Sequence, residues 1–363
     1  MSDPPTVTVI AEAGVNHNGR LDLALALVDA AADAGADVVK FQTFRTDQMT
    51  TRAASKADYQ LRNTGVVESQ LDMLKALELD DAAHHRLLAH CRARAIEFLS
   101  TPFDLQSLAL LVEGLGLKRI KVGSGDLTNA PLLLAIARFG CDVILSTGMA
   151  TMDEIAEALG VLAFGYTEEG EPGRARFEAA FDSTAGKGAL RDKVVVLHCT
   201  SDYPAADDEI NLRAMGLLAQ QFQLPVGFSD HSVGIAVPIA SVAYGATVIE
   251  KHLTLDRAMP GPDHVASIEP AEFKTMVAGI RQVERALGGS GKVPTPSELK
   301  TRPIARKSIV ARVAIRRGEL FSVENLTVKR PGTGLSPALL WDLIERPASI
   351  DYAADDLIDE SVR

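Results

Sequence analysis

ATVIEKHLTLDRAMPGPDH, residues 246–264, starts as a buried strand and then breaks the rule for one. After Ala246, Thr247, Val248 and Ile249 come Glu250, Lys251 and His252, before the chain turns apolar again at Leu253. Side chains two apart on a strand share a face, so Glu250 and His252 point one way and Lys251 the other. Ionisable groups at the end of a core strand cost free energy unless they are paired or serve a site. The same break from apolar to polar recurs along the chain. Strands are predicted at TVTVIAE (6–12), DVVKFQTF (37–44), IEFLSTPF (96–103), RIKVGSG (119–125), DVILSTG (142–148), VVVLHCT (194–200), PVGFSD (225–230) and ATVIEKHLTL (246–255). Each ends in polar residues, and Ala/Leu-rich helical patterns lie between them, as in LDLALALVDAAADAGA (21–36), which Gly35 ends.

Eight such repeats over about 285 residues match a (β/α)8 barrel, in which chemistry gathers where the strands end. An open doubly wound sheet would carry a GxGxxG turn after its first strand; this chain has GVNHNG. Residues 45–79 are expected to form a long loop near the active mouth, ending in a helical ESQLDMLKAL. Residues 165–192 are expected to be peripheral. The domains predicted are the barrel (1–287), a Gly/Ser/Pro-rich linker (288–303) and a small β-rich module (304–363) that leans on another surface for stability.

The composition bounds the function. The chain has 363 residues, 47% hydrophobic and 5% aromatic, and a net charge of −11. No overall field draws it to nucleic acid or to an anionic membrane, so an anionic substrate needs local cations. Three scattered cysteines, Cys91, Cys141 and Cys199, point away from a disulfide framework. With no secretion signal and no apolar run long enough for a membrane span, a cytoplasmic location is expected.

Three constellations stand at the strand ends. His231 and His252, on neighbouring strands, could share one metal ion or be two hydrogen-bonded structural histidines; spacing alone allows both. Lys40 and Lys121, with Ser124, Ser146 and Ser229, could cradle a small multiply charged anion, or each lysine could pair with a local carboxylate. Glu12, before the Asn16–Gly19 turn, is a candidate general acid or base. Lys251, facing away from the lumen, is expected to pair with a carboxylate under the helical layer.

Taken in order, IAEAGVNHNG, VVKFQTF, FLSTPFD, KVGSGDLTN, ILSTGMAT, LHCTSDYPA, GFSDHSVG, VIEKHLTLDRAMPGPDHVAS, ARKSIVA and LTVKRPGTG resemble the sialic acid (N-acetylneuraminate) synthase family over nearly the whole chain. The resemblance implies a TIM barrel followed by an antifreeze-like SAF domain, in a domain-swapped homodimer. It implies condensation of phosphoenolpyruvate with an N-acetylated mannose-type sugar, with release of phosphate. By the same resemblance His231 and His252 hold a divalent metal, Mn2+ ahead of Mg2+ or Co2+. Lys40, Lys121, Ser124, Ser146 and Ser229 match positions that bind phosphoenolpyruvate. Glu12, Gln42, Tyr203 and Asp263 match positions around the sugar and the metal-bound water, Asp126 stands at a sugar-contacting position where the family typically has Glu, Glu250 matches a further active-site carboxylate, and Arg330 matches an arginine reaching the neighbour's sugar site. The division of proton transfer between Glu12 and Glu250 stays open. Asp126, Ser201-Asp202 and Glu345 depart from the family pattern, which bears on substrate identity. N-acetylmannosamine is the acceptor expected first, with a 2,4-diacetamido-2,4,6-trideoxy sugar, giving legionaminate, as the alternative. A pyruvate aldolase would not need the second lysine and the serines, and a binding protein would not need the carboxylates, lysines and histidines together.

Overall fold

The protein is described here by a computed structural model covering residues 6–51, 54–56, 60–61, 69–289 and 291–359. Eight parallel strands make one sheet: β1 (Thr8–Gly14), β2 (Val38–Thr43), β3 (Glu97–Pro102), β4 (Arg119–Val122), β5 (Asp142–Ser146), β6 (Val194–Cys199), β7 (Val226–Asp230) and β8 (Val248–His252). Hydrogen bonds run in the order β3-β2-β1-β8-β7-β6-β5-β4, and β3 lies beside β4, so the sheet curls into a nearly closed barrel. This is the expected (β/α)8 architecture. The strands are shorter than the sequence suggests where glycine or a turn intervenes. β4 stops at Val122 because Ser124–Asp126 form a 3-10 turn, and β8 stops at His252.

A helix follows each strand and closes the outer layer. Leu21–Ala34 buries Ala24, Leu27, Val28, Ala31 and Ala34, one face at helical spacing, and ends where Gly35 takes a left-handed φ of 84°. Each fully buried aliphatic side chain at this sheet–helix interface contributes roughly 1.5–3 kcal/mol. The lumen is filled separately, by Ile10, Val38, Leu99, Ile144, Leu197 and Val248. Gly227 completes that layer on β7, where a Cβ would stand 2.4 Å from Val248 O and 2.5 Å from Leu197 Cδ2. Among the described residues no helix is long and apolar enough to cross a membrane.

Residues 165–192, expected as a peripheral segment, are largely helical. Met152–Thr167 extends into them, and Arg174–Asp182 and Thr184–Lys193 add two helices, the first packed against Met152–Thr167. The long segment after β2 supplies helix Gln70–Leu77, capped by the Ser69 hydroxyl. Its residues 52–53, 57–59 and 62–68 lie outside the described residues.

The chain divides into two compact units, Met1–Gly288 and Gly289–Arg363. The stretch read as a linker carries a helix, Pro296–Ala305, opened by a capping box between Thr295 and Glu298. In the second unit β9 (Ser308–Ala311) pairs antiparallel with β10 (Leu326–Lys329), over a core that includes Ile309, Phe321, Leu335 and Tyr352.

Candidate active site

The site follows from strand parity. Two residues after each lumen-filling side chain, the same face of the strand reaches the mouth. Ile10 is followed by Glu12, Val38 by Lys40, Leu99 by Thr101, Ile144 by Ser146, Leu197 by Cys199 and Val248 by Glu250. All six second members line one cavity of about 370 Å3, with Gln42, Lys121, Ser124, Tyr203, Ser229, His231, His252 and Asp263. Asp126 is not among them. It lies half-buried on the 3-10 turn, accepting a hydrogen bond from Asn129 Nδ2 at 2.9 Å, and burial raises its carboxyl above the ordinary range. Arg330 belongs to the second unit, where its Nε donates to Ala305 O at 3.0 Å.

The floor is a buried charge cluster. Lys40 Nζ lies 2.7 Å from Glu12 Oε2 and 3.8 Å from Glu250 Oε2. Lys121 Nζ lies 3.6 Å from Glu250 Oε1 and donates to Ser146 Oγ at 2.7 Å. Both lysines thus have the carboxylates that local pairing required, and Lys40 also donates to Thr101 Oγ1 at 3.3 Å. The Ser229 hydroxyl donates to Glu250 Oε1 at 2.9 Å, so it braces the carboxylate. Ser124 Oγ accepts from Gly148 N at 2.9 Å and touches Cys199 Sγ at 3.1 Å.

The environment pushes the two glutamates apart. Burial opposes ionisation of Glu250, but Lys121, Lys40 and the Ser229 hydroxyl outweigh it and hold its pKa below the ordinary value. Glu12 is also buried, and with the Glu250 charge adding to burial its pKa is raised despite Lys40. Burial likewise works against the Lys40 charge, yet Glu12 and Glu250 together keep its pKa high. Lys121 is pulled down by burial. Asp263 is pushed up to about 7 by burial and by Glu12. Two carboxylates with divergent proton affinities form the pattern of an acid/base group beside a fixed anion.

The donor set suits an open metal site. Burial lowers the pKa of both imidazoles, that of His252 further through His231 and the lysines. His231 Nδ1 lies 2.5 Å from Thr200 O, and a carbonyl only accepts, so the proton is on Nδ1 and the lone pair on Nε2. His252 Nδ1 is buried without a hydrogen-bond partner, and Asp263 Oδ2 stands 4.0 Å away. The two ring centroids are 5.4 Å apart, with the Tyr203 ring 4.1 Å from that of His231. Among the described residues no three His, Cys, Asp or Glu side chains converge as a closed structural site needs.

Lys251 turns away from the lumen, as parity requires. Both it and Asp230 are fully buried, with Nζ 2.6 Å from Oδ2. Asp230 Oδ1 accepts from Ser232 N at 3.0 Å and Lys251 also donates to Ser232 O, so the pair ties together the segments that carry His231 and His252.

Two family models match the chain. Residues 27–292 match the NeuB family and residues 306–346 the SAF domain. The chain belongs to the NeuB family. Among NeuB-related proteins it is 48% identical to N,N'-diacetyllegionaminic acid synthase of Campylobacter jejuni, over 97% of this chain and 98% of the other. It is 43% identical to the protein of that name from Legionella pneumophila, over 96% and 92%. It is similar to the crystal structure of N-acetylneuraminic acid synthetase from Leptospira borgpetersenii, with 32% identity, a TM-score of 0.65 and coverage of 81% and 90%.

The segment after β2 reaches the mouth, as expected of residues 45–79, but sequence reasoning did not foresee that it gives this NeuB-family chain an apolar wall. Val15, Met49, Met73, Leu74, Leu77 and Phe103 also line the cavity and give it an apolar wall. The signal was in QLDMLKAL, where Gln70, Met73, Leu74 and Leu77 recur at i, i+3, i+4 and i+7.

Proposed function

We propose that the chain condenses phosphoenolpyruvate with open-chain 2,4-diacetamido-2,4,6-trideoxymannose and water, forming N,N'-diacetyllegionaminic acid and inorganic phosphate. The observation that carries the reading is the floor itself. Two buried lysines are shared between two carboxylates, Glu12 and Glu250, whose proton affinities are shifted in opposite directions, beside the imidazoles of His231 and His252. N-acetylmannosamine, the acceptor expected first, gives place to the diacetamido sugar. Relatives at 48% and 43% identity are named N,N'-diacetyllegionaminic acid synthases, whereas the neuraminate synthetase stands at 32%.

Lys40 and Lys121 nearly cancel Glu12 and Glu250, so a trianionic substrate is accommodated only if the site gains positive charge. A proton on Glu12 supplies part of that charge, and the incoming anion favours it further. Lys121, already braced on Ser146, and the Ser124–Gly148 corner hold the anionic groups of phosphoenolpyruvate. Carbon 3 attacks the acceptor's aldehyde carbon, and Glu12 gives its proton to the aldehyde oxygen as the C–C bond forms. Glu250, held ionised, is the fixed anion available to the cationic centre at carbon 2. Water adds to that centre and returns a proton to Glu12. The tetrahedral adduct then breaks its C2–O bond, the phosphate departs with the bonding electron pair, and it takes up the new hydroxyl proton as the keto group forms. A divalent cation, Mn2+ ahead of Mg2+ or Co2+, would be held by His231 and His252 and supplies Lewis-acid polarisation of the aldehyde carbonyl. Arg330 enters this reading through a partner copy, as the family resemblance implies.

Phosphate release from phosphoenolpyruvate, measured with either sugar and with Mn2+ or EDTA, tests the reading. Expected is Mn2+-dependent release, with kcat/KM at least about tenfold higher for the diacetamido sugar. No release with either sugar from folded, Mn2+-loaded protein overturns it.

A further inference from the structure

The mouth has two chemically different sides. Lys121, Ser124, Ser146, Ser229 and the two histidines come from β4 to β8 and the turns that follow them. Beyond Glu12, Lys40, Gln42 and Thr101, the side toward β1–β3 is finished mainly by Val15, Met49, Met73, Leu74, Leu77 and Phe103, with the amides of Gln60 and Gln70 among them. Met73, Leu74 and Leu77 are packed with Val15 and Phe44 in a small cluster, and the partly buried Met49 and Phe103 lie against it. A cluster that served packing alone would close on itself. This one presents side chains to a cavity of about 370 Å3. The polar residue on the same helical stripe, Gln70, already accepts from the Thr50 hydroxyl through Oε1 at 3.0 Å.

Among the described residues that this chain sets around the cavity, lysine and arginine side chains occur only at the floor. Among the described residues lining the mouth, Lys40 and Lys121 are the lysines and no arginine is present. A phosphate on the far end of an acceptor would meet no lysine or arginine at this wall among the described residues, and a hydroxyl there would have to compete for Gln60 and Gln70, which already have partners. The chemistry also fixes direction. The aldehyde carbon must meet carbon 3 of phosphoenolpyruvate over the lysines, so the rest of the acceptor extends toward Glu12, Gln42 and the wall behind them.

We propose that Met49, Met73, Leu74 and Phe103 form the subsite for the acceptor's terminal carbon and select a methyl group there over a hydroxymethyl or phosphorylated one. The inference rests on the synthase reading above. A hydrophobic pocket discriminates against an added hydroxyl only modestly, so the expected preference is about 10- to 100-fold.

The test uses the full-length, Mn2+-loaded protein and two acceptors that differ only at carbon 6: 2,4-diacetamido-2,4,6-trideoxymannose and 2,4-diacetamido-2,4-dideoxymannose. The wild type and the near-isosteric variants Met49→Gln and Met73→Gln are compared by kcat/KM. Expected is a wild-type preference for the 6-deoxy sugar in the stated range. Each variant should cut that ratio at least about fivefold, by raising KM for the 6-deoxy sugar while keeping or improving use of the 6-hydroxy one. Met49 is only half-buried, so its variant keeps the test decisive if Met73→Gln folds poorly. A wild-type ratio within about twofold of one, or variants that slow both sugars equally, overturns the subsite while the synthase reading stands. Turnover of neither sugar overturns both.

Discussion

Replacing Lys251 by methionine removes a charge while nearly preserving volume, at a point where no water can compensate. Lys251 and Asp230 are each 0% exposed, 2.6 Å apart. In the variant Asp230 keeps only the Ser232 N–H at 3.0 Å, and Ser232 O loses the ammonium. Removing one partner of a buried pair costs about 3–5 kcal/mol, because the remaining charge is left uncompensated in a medium of low dielectric constant. Replacing both partners, as in Asp230→Leu with Lys251→Met, removes the orphaned charge. That double change should recover at least about 2 kcal/mol of the loss, leaving mainly the unsatisfied Ser232 backbone groups. Urea unfolding of the barrel, followed by circular dichroism, reads each change as a shift in midpoint at constant slope. A single-variant loss under about 1 kcal/mol, or a double variant no more stable than the single one, would refute the reasoning. It would mean that the pair is hydrated or that the segments carrying His231 and His252 are tied by other contacts.

Two further outcomes follow from the buried titratable groups. Glu12→Gln should lower kcat by about 100-fold or more while changing KM for phosphoenolpyruvate far less, since the loss is of proton transfer and not of the lysines; steady-state kinetics checks this. His17 is buried with its pKa lowered to about 4 by desolvation and by His84, and its Nδ1 accepts from Gly19 N at 3.0 Å. Between pH 6.5 and about 4 the unfolded chain therefore binds a proton that folded His17 refuses, so stability falls as pH falls through that window. His17→Asn keeps an acceptor for Gly19 and should remove about 3 kcal/mol of that pH dependence, read as a flatter profile of unfolding free energy against pH.

The barrel and its floor were legible because they depend on local periodicity. Once Glu250 and His252 share a face, Lys251 must take the other, and the same parity carries Ile10 to Glu12 and Val38 to Lys40. What escaped depends on contacts or on competing local signals. Helix Pro296–Ala305 was hidden by the Gly and Pro around it, although Thr295, Pro296 and Glu298 spell a helix start. The helices Arg174–Asp182 and Thr184–Lys193 lie in a stretch whose Gly and charged residues mask the apolar face that packs on the barrel. Asp126 reads as one of the strand-end polar residues, yet a 3-10 turn carries it out of the cavity lining. The apolar wall reads as an ordinary amphipathic stripe until the fold sets it against the mouth.

The central claim is that phosphate leaves by cleavage of its bond to carbon 2, after water has added there. Phosphoenolpyruvate labelled with 18O in the bridging position tests it directly, with the diacetamido sugar and Mn2+ present and the products weighed by mass spectrometry. The account predicts that the label appears in inorganic phosphate and that the sugar acid is unlabelled. Label retained in the sugar acid would place the cleavage at phosphorus and contradict the account.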